Sequence, residues 1–185
     1  MRFGSFGLCH SDLHLHLHLH LHDGYFDLGN GNKLDLCRGI APPRVLGHEI
    51  AGTVVAVGPD ASGVMVGDRR VVQPWIGCAA CGPCRGGHEE LCMAPRALGV
   101  NRDGGFADHV RVPHPRYLFA YDPLPEDRAC ACACSGLTAY AALKKCAPLG
   151  AADALLMIGA GGGGLSGVRM AASWCAWACS AARHH

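Results

Sequence analysis

Short apolar stretches separated by glycine and proline run through the first part of the chain, a pattern typical of short strands joined by tight turns. Residues 2–12 predict a short strand followed by a polar turn, and residues 45–57 predict a buried strand. Further short strands are predicted at residues 69–72, 106–112 and 116–121. We therefore expect a compact β-rich domain over residues 1–124.

The pattern then becomes helical. Residues 126–147 are rich in Ala, Leu, Lys and Cys and predict a helix, whereas residues 154–158 predict a short apolar strand. A run of glycines at residues 159–164 follows, and then a second helical stretch at residues 165–172. Because strand, glycine turn and helix in this order begin a dinucleotide-binding fold, residues 125–185 are expected to start a second, α/β domain.

Residues 13–22 are five Leu-His dipeptides in succession, the one low-complexity segment of the sequence. In a strand, this alternation would place the leucines on one face and the histidines on the other. One interpretation is a metal-binding tract, since short His-rich segments bind metals. The other is a duplicated short repeat tolerated in a surface loop, and we expect the loop.

Composition narrows the class of protein. The chain is 50% hydrophobic and 17% charged, which excludes a disordered tail. With 16 Lys and Arg against 15 Asp and Glu, nothing in the charge favours nucleic acid or an anionic membrane as a partner. No apolar run reaches the roughly 18 residues of a membrane helix. The first ten residues lack a signal-peptide core, so the 12 cysteines are expected to be cytoplasmic thiols or metal ligands.

A cluster of four cysteines is the strongest chemical signal, with the spacing C-x2-C-x2-C-x7-C: Cys78, Cys81, Cys84 and Cys92. Two disulfides and an iron–sulfur cluster are the alternatives to zinc. The bacterial iron–sulfur pattern places its last Cys after three residues and before a proline, whereas here seven residues intervene and Met93 follows. Because four thiolates suit tetrahedral zinc and leave no position open, a structural zinc is expected.

The glycine run contains the pattern G-x-G-x-x-G at Gly159, Gly161 and Gly164, with Gly162 inside it. The first glycine would form the turn, the second would let the backbone approach a pyrophosphate, and the third would allow close packing of helix on strand. The N–H groups at the start of the helix would then face the phosphates. A flexible glycine-rich linker is the alternative.

Five segments occur in an order that identifies a family: CHSD, GHE, the four-cysteine cluster, CSGLTAY and GAGGGG. Over most of residues 8–172 the chain resembles the zinc-dependent medium-chain alcohol dehydrogenases. The resemblance implies an α/β protein with a β-rich part, in which a GroES-like catalytic domain is followed by an incomplete Rossmann domain that binds NAD. It also implies hydride transfer between a small alcohol or aldehyde and NAD, in a family that is often homo-oligomeric.

The resemblance also assigns roles to single residues. Cys9, His48 and Cys134 match the three protein ligands of the catalytic zinc. Glu49 matches the acid beside the histidine ligand, and as a metal-site residue it could bind or exchange with the zinc. Asp12 matches a carboxylate that orients the histidine, and Ser11 and His14 match two proton-relay groups. Thr138 matches a residue near the nicotinamide. Two thiolates and one imidazole leave zinc an open position for an alcohol, whose hydroxyl pKa the metal lowers.

Three departures from the family pattern stand out, and the first and last of them lead us to expect a chain shortened at both ends. Cys9 lies nearer the start of the chain than the family's ligand does. The Leu-His repeat exceeds the corresponding family segment, so the relay position falls at His14 or nearer His20, depending on the end from which it is counted. No acidic residue follows Asp153 to bind the ribose. A non-catalytic structural-zinc module and a non-functional gene fragment are therefore the alternatives.

Overall fold

The computed structural model describes residues 1–20, 25–35, 40, 43–146 and 153–181 of the 185-residue chain. The chain divides into two compact units, Met1–Ala133 and Cys134–His185. The strands of the first unit are β1 (Arg2–Gly7), β2 (Tyr25–Gly29), β3 (Asn32–Asp35), β4 (Glu49–Thr53), β5 (Arg69–Val72) and β6 (Leu118–Phe119). Its helices are α1 (His10–His20), α2 (Gly82–Arg85) and α3 (Glu126–Ala131). A π-helical turn, Cys132–Gly136, continues α3 into the helix α4 (Leu137–Cys146) of the second unit, and α5 (Gly162–Ala181) follows.

Strands β1, β4, β5 and β6 form one antiparallel sheet in that order, while β2 and β3 form a separate hairpin. Ile50 at the centre of the sheet lies opposite Phe6 on one side and Val72 on the other. Apolar side chains of the sheet and of the loops beside it form the main core of the first unit: Ile50, Val72, Ile76, Leu98, Val110 and Tyr117. Burial of this apolar surface is the main force that holds the sheet in place.

Most of the predicted strands are present, with changed lengths. The strand at residues 69–72 is confirmed as β5, and residues 2–7 of the first predicted segment form β1. The stretch 45–57 forms a shorter strand than predicted, β4. Residues 106–112 contribute an isolated bridge to Arg2 instead of a strand, and the last predicted strand is reduced to β6. Two prolines lie between these segments, and a proline has no N–H to donate to the hydrogen bonds between strands.

The Leu-His repeat forms a helix where it is described, so the expectation of a surface loop is wrong for residues 13–20. A helix satisfies its backbone hydrogen bonds internally, whereas an alternating strand would need a neighbouring strand to pair with. One leucine anchors the helix, because Leu15 is buried against Ile40 and Leu46. Leu13 and Leu17 remain exposed, since a helix does not gather alternating residues on one face.

The helical prediction is confirmed for residues 126–146, which form α3, the π-helical turn and α4, whereas residue 147 lies outside the described residues. Within the first unit α3 packs against β1 and β4, and its Ala129 and Cys130 share a core cluster with Ala51 and Tyr121. None of the helices in the described ranges is long and apolar enough to cross a membrane.

The strand predicted at residues 154–158 is wrong, because these residues have an irregular backbone. A strand requires a hydrogen-bonded neighbour, and the described part of the second unit contains no strand. Leu156 and Ile158 are accordingly 83% and 88% exposed. The helix that follows is longer than predicted and packs against α4, with the rings of Tyr140 and Trp174 stacked at 5.9 Å.

Candidate metal centres

The four cysteines of the predicted zinc cluster converge. Their sulfurs all lie within 4.8 Å of one another. Sγ of Cys78 is 3.9 Å from Sγ of Cys84, and Sγ of Cys81 is 3.9 Å from Sγ of Cys92. Four sulfurs bonded to one zinc at about 2.3 Å in a tetrahedron stand about 3.8 Å apart. The cluster therefore has the dimensions of a four-thiolate zinc site.

Tight turns and backbone amides hold the sulfurs in this arrangement. The N–H groups of Cys78 and Ala94 donate to Sγ of Cys92 at 3.3 and 3.4 Å. Gly77 lies so close to the cluster that a Cβ there would stand 2.5 Å from Sγ of Cys84. Glycine is therefore required at this position because a side chain would collide with the cluster, in addition to any conformational freedom that glycine gives the turn.

The thiol groups of the cluster differ in acidity. Hydrogen bonds from the backbone N–H groups of Ala80 and Cys81 lower the pKa of Cys78 to about 6. Burial raises the pKa of Cys84 to about 12, with the neighbouring thiols contributing. Four thiolates this close repel one another, so a cation is needed for all of them to ionise together. This chemistry fits a divalent metal.

Glu89 ties the four-cysteine segment to the sheet. Its Oε2 accepts hydrogen bonds from the N–H of Gly77 at 2.7 Å and from the hydroxyl of Tyr117 at 2.8 Å. The guanidinium of Arg116 donates to its Oε1. Burial alone would raise the pKa of Glu89, but these donors and the charge of Arg116 lower it below its ordinary value. The carboxylate therefore stays ionised and positions the residue that precedes Cys78.

A second group of ligand atoms lies where β4 begins. Sγ of Cys9 and a ring nitrogen of His48 lie within 4.8 Å of each other. Nδ1 of His48 is 3.0 Å from Oδ1 of Asp12, and both side chains are buried, with 0% and 1% of their surface exposed. The first unit thus holds a thiol and an imidazole together beside an enclosed carboxylate.

Asp12 organises this site through three contacts. Besides His48, its Oδ1 accepts from the N–H of Gly47 at 3.1 Å, and its Oδ2 accepts from the N–H of Cys9 at 3.1 Å. One carboxylate therefore fixes the backbone on both sides of the site. A buried carboxylate whose oxygens accept several hydrogen bonds is held in one orientation.

Gly47 is required by the local backbone. Its φ is +94°, a left-handed conformation that side chains rarely adopt, and a Cβ there would overlap the ring of Phe106. This turn directs His48 into the interior, where the indole ring of Trp75 lies 5.3 Å from the imidazole. In the GHE motif, the backbone conformation and the space beside Phe106 thus require the glycine, just as the chemistry of the site requires the histidine.

The other predicted site residues occupy different surroundings. Glu49 is buried in β4, and its charge adds to burial in raising the pKa of Cys130 and Cys132. Ser11 is exposed on α1, whereas His14 is half-buried. Cys134, the first residue of the second unit, is buried, and Thr138 is exposed on α4.

The predicted glycine motif forms the turn into α5. Gly159 has a φ of +101°, which glycine adopts at little cost, and a Cβ at Gly164 would overlap the carbonyl of Gly159. Gly161 precedes the helix and Gly162 begins it. The predicted glycine turn and the helix after it are therefore present, without the strand that was predicted before them.

Sequence reasoning missed Glu89 and Trp75. Glu89 lies inside the four-cysteine segment, and an acidic residue among closely spaced thiols was an available signal for a supporting role. Trp75 has no local signal, because only the packing of the chain brings it to His48.

Comparison with known proteins agrees with this fold. The chain belongs to the alcohol dehydrogenase GroES-like domain family, whose profile matches residues 1–123. The predicted fold class, a GroES-like sheet-rich part within a mixed α/β protein, is confirmed by that match and by the related structures.

Three dehydrogenases illustrate the similarity to known proteins. An NAD-dependent alcohol dehydrogenase of Sulfurisphaera tokodaii is 43% identical over 157 residues, which are 85% of this chain and 42% of that protein. The crystal structure of the alcohol dehydrogenase from Aeropyrum pernix is 27% identical, with a TM-score of 0.74 over 94% of this chain and 48% of that one. A crystal structure of an NAD-dependent alcohol dehydrogenase gives 26% identity and a TM-score of 0.77 over 94% of this chain and 46% of that one. The chain thus spans less than half the length of these proteins.

Proposed function

We propose that this chain is a zinc- and NAD-dependent alcohol dehydrogenase that transfers a hydride between a small alcohol or aldehyde and NAD. The buried pair of Asp12 and His48 beside Cys9 carries the proposal. A buried carboxylate that orients an imidazole next to a thiol is a usual arrangement around a catalytic metal. Membership of the family and the dehydrogenase relatives support it.

The catalytic zinc would be held by Cys9, His48 and Cys134. The carboxylate of Asp12 faces Nδ1 of His48 as a hydrogen-bond acceptor, so the imidazole proton would lie on Nδ1 and Nε2 would be left to bind the metal. Cys134 is included because it opens the segment CSGLTAY, which matches the family's third zinc ligand.

The ligand set defines what this centre would do. Zinc bound by two thiolates and one imidazole supplies a Lewis acid that lowers the pKa of an alcohol. Glu49, buried next to His48, adds a negative charge close to the ligands. Ser11 and His14, on the first turns of α1, would accept the hydroxyl proton and pass it towards solvent.

The cluster of Cys78, Cys81, Cys84 and Cys92 would hold a second zinc with a structural role. Its ligand shell is closed, and it needs nothing from the second unit. Both sites require reduced thiols, which accords with a cytoplasmic location.

Residues 125–185 would begin a Rossmann domain for NAD. The turn at Gly159 and the start of α5 at Gly162 provide backbone N–H groups for a pyrophosphate. Thr138 would lie near the nicotinamide. We extend the family's frequent homo-oligomeric assembly to this protein as part of the same proposal.

Zinc content tests the proposal. We expect two zinc ions per chain by elemental analysis, one of them lost in Cys9→Ser and the other in Cys78→Ser. Cys146→Ser is the matched control, because Cys146 is exposed and outside both clusters. The chain with two zinc ions should oxidise a small primary or secondary alcohol with NAD, and Cys9→Ser should abolish that activity.

A structural-zinc module without turnover is the second candidate, favoured by the completeness of the four-cysteine cluster within the first unit. It predicts one zinc, lost in Cys78→Ser and kept in Cys9→Ser, with no binding of NAD. That result would reject the dehydrogenase for this chain.

A further inference from the structure

Histidines recur at four-residue intervals along α1. His10 and His14 lie on consecutive turns, with ring centroids 4.5 Å apart and ring planes inclined by 19°. Residues four apart share a face of a helix. Since His10 is exposed and His14 is half-buried, their common face meets solvent.

The helix that carries this pair is held in place by its other face. Leu15 is 8% exposed and packs with Ile40 and Leu46, which fixes the rotation of α1 against the first unit. The segment from His10 to His20 contains no Lys or Arg that would repel a cation. The backbone that carries the two imidazoles is therefore fixed before any ligand arrives, which lowers the entropic cost of binding.

We propose that His10 and His14 form a surface site for a divalent nickel or copper ion. Imidazole is a preferred ligand of both metals, and two imidazoles with water complete a tetragonal N,O set. Metal–imidazole bonds are about 2 Å long, so two nitrogens on one ion stand at most about 4 Å apart. The ring centroids are 4.5 Å apart with planes inclined by 19°, so both rings must turn about their side-chain bonds to direct one nitrogen each at the same ion.

The test must separate this pair from the other histidines of the repeat. A parent variant carries His16→Gln, His18→Gln, His20→Gln and His22→Gln, so that the pair keeps the only imidazoles of the tract. Ni²⁺ is titrated into this chain by calorimetry after purification with zinc. Nickel is the better probe because Cu²⁺ oxidises thiols, and Cys9 is adjacent.

We expect the parent variant to bind one Ni²⁺, and His10→Gln in that background to weaken binding by tenfold or more. His109→Gln is the matched control, because His109 is exposed and distant in sequence. His14→Gln should weaken binding as much as His10→Gln does, with circular dichroism verifying that α1 still forms. No nickel binding by the parent, or equal binding by His10→Gln and the control, would overturn the proposal.

Discussion

Nδ1 of His48 lies 3.0 Å from Oδ1 of Asp12, a residue 36 positions earlier in the chain. Both side chains are enclosed, so the contact is made without competition from water. The same carboxylate also accepts hydrogen bonds from two backbone amides, those of Cys9 and Gly47. One side chain thus sets the position of both proposed ligands in the first unit.

Asp12→Asn should therefore weaken the proposed catalytic zinc site and spare the four-cysteine site. A carboxamide has one acceptor oxygen in place of two and no longer fixes the tautomer of His48. We expect zinc affinity at this site to fall by about 10–100-fold. Competition with a chelator, followed by elemental analysis, measures the loss. The exposed Asp108→Asn is the control, and equal zinc retention in both variants would refute the role of Asp12.

Gly77→Ala should disrupt the four-cysteine site. The added Cβ would lie 2.5 Å from Sγ of Cys84, so the sulfur must move out of the cluster. Overpacking of this kind costs about 1–3 kcal/mol. We expect loss of one zinc per chain and a lower melting temperature. Gly82→Ala provides the comparison, because no atom lies within 4 Å of the position of its Cβ. Full zinc content in Gly77→Ala would contradict the assigned geometry.

Glu89→Gln should reduce the free energy of unfolding by about 1–2 kcal/mol at neutral pH, since it removes a charged acceptor of three hydrogen bonds. The donors hold the pKa of Glu89 below its ordinary value of 4.5. Its stabilisation is therefore present above pH 4.5 and disappears as the pH falls through the lower folded-state pKa.

Urea unfolding of Glu89→Gln and the parent chain between pH 7 and pH 3 measures this effect. The two stabilities should converge at the acid end. Glu90→Gln, whose side chain is 64% exposed, should match the parent throughout. A difference that persists unchanged in acid would show that the effect does not come from ionised Glu89.

Leu15→Ala should destabilise the first unit far more than Leu17→Ala, although both leucines belong to the same repeat. Leu15 is 8% exposed in a core cluster, whereas Leu17 is 41% exposed. Removing a buried leucine costs about 2–5 kcal/mol. Thermal unfolding followed by circular dichroism compares the variants. Equal melting temperatures would mean that α1 is not anchored through Leu15.

The chemistry of the sites was predictable from short motifs. The spacing of Cys78, Cys81, Cys84 and Cys92 constrains four sulfurs within 15 residues of chain, so local turns suffice to bring them together. The pattern GHE and the approach of Cys9 were predictable only through family resemblance, because nothing local links residues 9 and 48.

Secondary structure was predictable where the local pattern and the tertiary contacts agree, as in β5 and in the run from α3 to α4. The secondary-structure prediction failed at residues 154–158. Their apolar composition suits a strand, but the described part of the second unit contains no strand for them to pair with. The prediction failed again in the Leu-His repeat, where the alternation suggested a strand or a loop, whereas the chain forms the helix α1.

The amino-acid sequence alone determined the ligand types, the four-cysteine cluster and the glycine turn, since each depends on neighbours a few residues away. Only the tertiary structure decided that Asp12 orients His48, that Glu89 fixes Gly77, and which leucine of the repeat is buried. These contacts join residues 12 to 36 positions apart, or depend on one helix face meeting a core. Such contacts could not be predicted from the spacing of the residues in the sequence, because they form only when burial of apolar surface brings the segments together.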